Sequence, residues 1–370
     1  MPSNPETVLQ FGTGKFLRAF ADLFIAQANR TPAPVGRVVV VQSTGSGRAE
    51  SFARCSRYQV AIRGIQAGQI VDRIETVDSI ARALSATKQW PEVLALAQTA
   101  ELRVVISNTT EAGYQLAAGD SPERMPPQSF PAKLLCVLEA RYRAGLPGLV
   151  ILPCELLENN ADRLRTLVLE QARQWNRPPA VCDWIETACH WHNTLVDRIV
   201  SAPSPDDPLA AADPLFAVAE PFAFWGIEGP LDLPGLAAHP AVHVVEDLFP
   251  LSLRKVRILN GAHTALVAKA RPLGFQTVRE ALANEEIRRW LATILFDEIV
   301  PVLQGRTDDP AGFAREVLDR FANPFLDHRL AAIALPDDAK RQPRLVPTLV
   351  EYRTQFGRTP PGLGEILGLK

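Results

Sequence analysis

The 370-residue sequence is short of the features that several functional classes require. Its 39 basic and 41 acidic side chains leave a formal charge of −2, so no long-range field gathers nucleic acid or an anionic membrane. No stretch approaches about 18 continuous apolar residues, which argues against a hydrophobic spanning helix. Met1–Gln10 lacks the basic-then-apolar pattern of a secretory signal, and the expected setting is the cytoplasm. The five cysteines, at 55, 136, 154, 182 and 189, form no C-x-x-C pair and are odd in number, against a disulfide framework. Cys182, Cys189, His190 and His192 bring four possible ligands close together in sequence. Zinc sites use tighter paired spacings, however, and no metal is expected there. Internal repeats and low-complexity tracts are also lacking.

What is present is a core-forming composition: 47% apolar side chains at a mean hydropathy of zero. A chain of this length predicts two domains. Val8–Phe11 reads as an apolar strand, Gly12–Gly14 as a turn, and Lys15–Asn29 as a helix with apolar residues at helical spacing. Arg37–Gln42 is a β-branched run of the kind found in strands buried on both faces. Tyr58–Arg63 and Gln69–Thr76 flank Gly64 and Gly68 as a hairpin excursion. The helical stretch Val77–Thr99 then leads into the strand Arg103–Ser107, and a helix at 131–144 into the strand Leu149–Pro153. Glu155–Trp175 reads as helical, and Ser201–Pro214 as a surface loop.

Alternation of this kind predicts an α/β fold with a Rossmann-like, doubly wound sheet. From about Leu251 onward the pattern turns mainly helical, over Lys255–Ala270, Val278–Gly305 and Ala311–Phe321. The expected domains are 1–245 for a dinucleotide and 246–370 for substrate and catalysis.

Gly12-Thr13-Gly14 between strand and helix is where a dinucleotide pyrophosphate would lie against backbone N–H groups. The third glycine of the usual fingerprint is missing, since position 17 is Leu, so an ordinary tight turn competes with this reading. The acid that commonly holds the adenosine ribose is missing too. Gln42, Ser43 and Thr44 stand there, with Arg48 nearby for a 2′-phosphate, leaving NAD and NADP both open. Ser107-Asn108-Thr109-Thr110-Glu111 follows a strand at the carboxyl edge, where it either faces a ligand or caps the next helix.

On a regular helix, at about 100° per residue, His263 lies about 80° and Asn260 about 140° around from Lys255. A long lysine there converges with both on one broad face. Carbonyl reduction needs such a set, with one group to donate a proton and neutral donors to hold the developing oxyanion. Arg254, Lys255 and Arg257 fit a solvated basic face equally well by composition alone.

These segments, taken in order, resemble the polyol-specific long-chain dehydrogenases, the mannitol dehydrogenase family. The likeness is carried by Phe11–Arg18 (FGTGKFLR), Ser107–Tyr114 (SNTTEAGY), Cys154–Asn160 (CELLENN), Asn193–Ile199, Glu220–Phe222 and Lys255–Thr264 (KVRILNGAHT). The resemblance implies a cofactor site formed by Phe11, Gly12, Gly14, Phe16, Arg18, Gln42, Asn108, Thr110 and Glu111. It implies NAD, with NADP not excluded, and a small sugar acid or polyol as substrate; no nucleic acid, membrane or obligate protein partner is implied.

Lys255 is then general acid in reduction and general base in oxidation. It must release its proton near neutral pH, aided by burial or by Arg254 and Arg257. Asn193 and Asn260 would polarise the carbonyl, and His263 would orient Lys255 or bind substrate. His328 and Lys340 are candidates for a substrate carboxylate. Cys154–Asn160 leans toward members acting on hexuronate-derived ketoses, with D-fructuronate, fructose or mannitol chemistry as alternatives. A dinucleotide sensor without turnover is the reading of a different class, and the Lys255, Asn260 and His263 set argues against it.

Overall fold

The computed structural model describes residues 4–43, 45, 48–54, 57–109, 111–204, 206–334 and 337–369, without the side chains of 48, 53, 54, 111 and 337–340. The chain divides into two compact units. One comprises Met1–Ala61, Ile74–Ala219 and Ala223–Leu248, and the other Ile62–Arg73, Glu220–Phe222 and Phe249–Lys370. The single expected break near 246 therefore makes no provision for two short excursions, 62–73 and 220–222, into the second unit.

The strands in chain order are β1 (Glu6–Phe11), β2 (Arg37–Gln42), β3 (Tyr58–Gln66), β4 (Gln69–Val77), β5 (Ile80–Ser85), β6 (Val104–Ser107) and β7 (Val150–Pro153). They continue with β8 (His190–Trp191), β9 (Thr194–Asp197), β10 (Val200–Ser201), β11 (Ala217–Ala219), β12 (Phe224–Glu228) and β13 (Val242–Val245). The main sheet runs β5-β2-β1-β6-β7-β8, with every neighbouring pair parallel. Renumbered within the sheet this is 3-2-1-4-5-6, the Rossmann order, whose direction reverses between β1 and β6. Val38–Val41 are fully buried, as strands covered on both faces require. Each such valine contributes roughly 1.5–3 kcal/mol of apolar burial.

Between β3 and β4, Ala67 and Gly68 both take positive φ, 50° and 74°, the backbone of a two-residue hairpin turn. The tip belongs to the second unit, where the Gly68 N–H donates to Asp319 at 3.1 Å. That unit is helical. Its core gathers Ile258, Leu266, Leu291, Ile299, Val317 and Leu349 from successive helices.

Five helical expectations are corrected. The predicted helix 15–29 is two, Lys15–Arg18 and Ala21–Ala28, broken at Phe20 with φ −129° and ψ −97°. Arg198 donates to the freed Ala19 carbonyl at 2.8 Å, which makes the break tolerable. The stretch 77–99 contains β5 before its helix Ala86–Ala97. The helix expected from Glu155 starts at Asn160. The helix Lys255–Ala270 is π-helical over Lys255–Asn260 and α-helical only from Gly261. A second π-helical turn, Ile294–Ile299, interrupts 278–305.

Candidate functional site

At the switch point of the N-terminal sheet, β1 ends at Phe11 and β6 ends at Ser107, and the two residues pair in register. Gly12 follows with φ +134°, and a Cβ there would lie 3.0 Å from the Asn108 carbonyl oxygen. Only glycine fits both the torsion and the space. Around the Cβ position of Gly14 no atom lies within 4 Å, so its backbone is open to a ligand. This cradle fits a pyrophosphate through its exposed peptide groups. The four-residue helix that follows adds little dipole, contrary to the long helix expected.

Other expected cofactor residues take mixed positions. Phe11 is buried, its ring 5.2 Å from that of Phe130, so only its backbone meets the cradle. Phe16 stacks on Phe20 at 4.8 Å. Arg18 is buried and donates to the Thr13 carbonyl at 3.3 Å, bracing the turn from behind. Gln42 lies at the end of β2, where its Oε1 accepts from the Ala49 N–H at 2.7 Å. Asn108 donates from Nδ2 to the Cys154 carbonyl at 2.6 Å. Thr44 and Thr110 lie outside the described residues, as do the side chains of Arg48, Glu111 and Lys340.

Two buried acids went unnoticed in the sequence. Glu155 follows β7, and its two carboxylate oxygens accept from Thr109 N–H (2.8 Å), Thr109 Oγ1 (3.1 Å), Ser107 Oγ (3.0 Å) and Tyr114 Oη (3.1 Å). Burial pushes its carboxyl up from the ordinary range, against the pull of these donors. In the sequence its signal is an acid directly after the Pro-Cys that closes a parallel strand, at the start of the stretch expected to be helical. Asp22 is fully buried, and burial raises its pKa to about 7 against hydrogen bonds from Gln10 and Tyr58. Gln10 Nε2 lies 3.2 Å from the Gly12 carbonyl and 3.4 Å from Asp22, tying that acid to the cradle.

Asn193 has a different place from the one expected. Its Nδ2 donates to Asp162 at 2.9 Å and to Glu228 at 2.8 Å. Its Oδ1 accepts from the Ala161 and Asp162 N–H groups, at 3.1 and 3.2 Å, in the first turn of the helix Asn160–Gln174. All of its amide capacity is thus spent on scaffold. Of the four possible metal ligands, Cys189 is buried, His190 is exposed, and the His192 ring meets the Glu228 carbonyl at 2.8 Å. The described residues hold no cluster of three or more His, Cys, Asp or Glu able to bind a metal.

In the C-terminal unit, Lys255 opens the π-helical turn and Asn260 closes it; both are half-buried. Because π-helical bonds run from i to i+5, Asn260 sits one widened turn from Lys255, nearer its face than the 140° of a regular α-helix. Among the described residues, the Asn260 side-chain amide has no hydrogen-bond partner, while the Asn260 backbone carbonyl accepts from Thr264 Oγ1 at 2.9 Å where α-geometry resumes. His263 is buried, stacked on Phe321 at 4.2 Å, with His328 edge-on at 5.0 Å. Burial, then the charge of Arg320, lowers the pKa of His328, so its ring offers hydrogen bonds rather than charge.

Arg320 is committed to Glu220 through two bonds of 2.9 Å, with both side chains almost fully buried, and lies 4.2 Å over the Phe222 ring. The arginines expected to ease Lys255 deprotonation are engaged elsewhere. Arg257 pairs with Glu351 at 3.0 Å and Thr348 at 2.8 Å, while Arg254 lies over Phe313 and donates to Asp308.

A family model described as the mannitol dehydrogenase Rossmann domain matches residues 6–235, and one described as the mannitol dehydrogenase C-terminal domain matches 247–367. An altronate oxidoreductase of Bacillus subtilis (strain 168) is 38% identical over 371 residues, covering 96% of this chain and 77% of the relative. One from Klebsiella pneumoniae (strain 342) is 39% identical over 376 residues, covering 97% and 78%. Among solved structures, D-sorbitol dehydrogenase in substrate-free form superposes with a TM-score of 0.85 at 24% identity, covering 99% of this chain and 79% of that one. A Pseudomonas fluorescens mannitol 2-dehydrogenase ternary complex with NAD and D-mannitol gives 0.76 at 21% identity, covering 98% and 78%. No helix among the described residues is long and apolar enough to cross a membrane.

Proposed function

The chain belongs to the mannitol dehydrogenase family, and from that premise we propose that it interconverts D-tagaturonate and D-altronate with NAD. The observation that carries the chemistry is the π-helical turn that presents Lys255 and the side-chain amide of Asn260, which has no hydrogen-bond partner among the described residues. The altronate oxidoreductase relatives, matched over nearly all of this chain, support the choice of sugar acid.

When bound, the nicotinamide cofactor supplies or accepts the hydride. The Gly12–Gly14 backbone and the end of β6 would hold it, with Gln42 on the adenosine side and the Asn108 segment on the nicotinamide side. Lys255 Nζ gives a proton to the alkoxide oxygen during reduction and takes it back during oxidation. The Asn260 amide donates to the same oxygen as negative charge develops there. Asn193, saturated by Asp162 and Glu228, acts through the scaffold and not on the carbonyl. The neutral His328 ring and Lys340 serve the substrate's carboxylate end, and His263 orients the catalytic turn from beneath. A reaction fed by the intracellular nicotinamide pool belongs in the cytoplasm.

The test is a purified-protein assay with D-tagaturonate, D-fructuronate and fructose, each with reduced NAD and reduced NADP. Tagaturonate with NADH should give the highest kcat/KM. Equal or better turnover of fructose would end the altronate reading.

A further inference from the structure

Glu155 is used by no step above, yet it is the most heavily coordinated acid at the carboxyl edge of the parallel sheet. It stands beyond β7, the strand next to β6 on the side of the switch point away from β2. In a Rossmann sheet the adenosine lies toward the end of the second strand. The nicotinamide half therefore extends over β6 and β7, where Glu155 braces Ser107, Thr109 and Tyr114.

Its four hydrogen-bond donors are one backbone N–H and three hydroxyls, all neutral. Among the described residues, no arginine or lysine pairs with it. All four groups donate, which favours the acceptor-only carboxylate against the upward push of burial; neutral dipoles do this without cancelling its charge, so its field remains available to the next positive group. An oxidised nicotinamide ring carries a positive charge; a reduced one is neutral.

We propose that the Glu155 carboxylate biases the cofactor site toward the oxidised form, by an unneutralised buried charge on the nicotinamide side of the switch point. The inference rests on the cofactor placement given under the proposed function. At an effective dielectric of about 20, a unit charge about 12 Å away is worth roughly tenfold in relative affinity, and a closer one more.

Dissociation constants of NAD and NADH, measured by calorimetry on the apo-protein and its variants, test this apart from turnover. Glu155→Gln is isosteric and can keep the loop hydrogen-bonded, because Ser and Tyr hydroxyls also accept. It should weaken NAD about tenfold while leaving NADH within about twofold. Glu155→Asp retains the charge but shortens its reach; both cofactors should weaken together, with their ratio kept. Tyr114→Phe removes one donor that favours ionisation, lets burial push the carboxyl further toward its uncharged form, and should move the ratio about twofold to threefold in the same direction as Gln. This variant carries the test even if Glu155→Gln fails to fold.

An unchanged ratio of NAD to NADH affinity in Glu155→Gln and Tyr114→Phe would overturn the inference. If the unmodified protein binds neither cofactor form, the cofactor site itself is wrong.

Discussion

The two units prepare their sites in opposite ways. In the N-terminal unit nearly every polar group around the switch point is spent: Glu155 accepts four bonds, Asn108 holds Cys154, Gln42 holds Ala49, and Asn193 has no spare capacity. What remains for a ligand there is mainly backbone, at Gly12 and Gly14. In the C-terminal unit a π-helical turn offers side chains on a rigid frame, and the Asn260 amide has no hydrogen-bond partner among the described residues. A large, constant cofactor can be gripped by fixed peptide groups, whereas a substrate whose oxygen gains and loses charge needs donors held in reserve. The contrast predicts that damage in the first region shows in cofactor binding or folding, and damage in the second in turnover.

Lys255→Ala puts the sharpest strain on that contrast. Loss of the proton donor should reduce kcat by at least about a thousandfold, and NAD affinity should stay within about twofold. Steady-state kinetics with calorimetric cofactor titration measures both. Near-normal turnover would remove Lys255 from the chemistry, while a parallel loss of NAD binding would show that the two regions are not separable.

The rigid frame is tested by the buried Glu220–Arg320 pair. Arg320→Met leaves Glu220 buried and unpaired, and should cost about 3–5 kcal/mol of stability. Adding Glu220→Leu should restore much of it, because an apolar pair of similar volume carries no desolvation penalty. Chemical denaturation of the single and double variants decides. A double variant no more stable than Arg320→Met would mean that the ion pair serves by more than its own neutrality.

Much of this arrangement was legible in the sequence, and the misses have physical causes. The Val38–Val41 run and the Gly12–Gly14 turn were readable because burial on both faces and close backbone approach each leave a compositional mark. The helical character of the second unit was readable from periodicity. β5 was missed because Ile80–Ser85 is half-exposed at the sheet edge and runs straight into a helix, so its short alternation merged with the helical pattern. Glu155 was missed because its conformation is dictated by partners 41 to 48 residues away. The π-helical turn leaves no mark in residue type, so the spacing of Lys255 and Asn260 reads in the sequence as that of a regular α-helix. The hydrogen bonds of Asn193 are not legible in the sequence, because its neighbours Asp162 and Glu228 lie on other elements.

The two asparagines give a direct comparison of spent and unspent amides. Asn260→Ala should lower kcat by about a hundredfold or more, the loss typical of an oxyanion donor, with little change in Tm. Asn193→Ala should instead cost about 1–2 kcal/mol of stability, since it frees two N–H groups at the start of a helix and two carboxylates. Its kcat should stay within about tenfold. If Asn193→Ala reproduces the turnover defect of Asn260→Ala without destabilising the fold, Asn193 reaches the carbonyl after all.

The last expected effect concerns Asp22, which couples the cradle to pH. Burial raises its pKa from an ordinary 3.8 to about 7, so between those values the folded chain holds a proton that the unfolded chain has released. Stability from this group is therefore present at low pH, falls as pH rises through that window, and levels off above about 7. Its share between pH 5 and 7 is on the order of 2 kcal/mol. Asn at position 22 mimics the protonated acid in shape and cannot ionise. Thermal unfolding of both proteins at pH 5 and 7 should show the unmodified chain losing stability relative to Asp22→Asn as pH rises. Because Gln10 links Asp22 to the Gly12 carbonyl, the same ionisation should loosen NAD binding in the unmodified protein and not in the variant. Parallel pH dependence in the two would mean that Asp22 remains ionised in the folded chain and that the cradle has no titrating support.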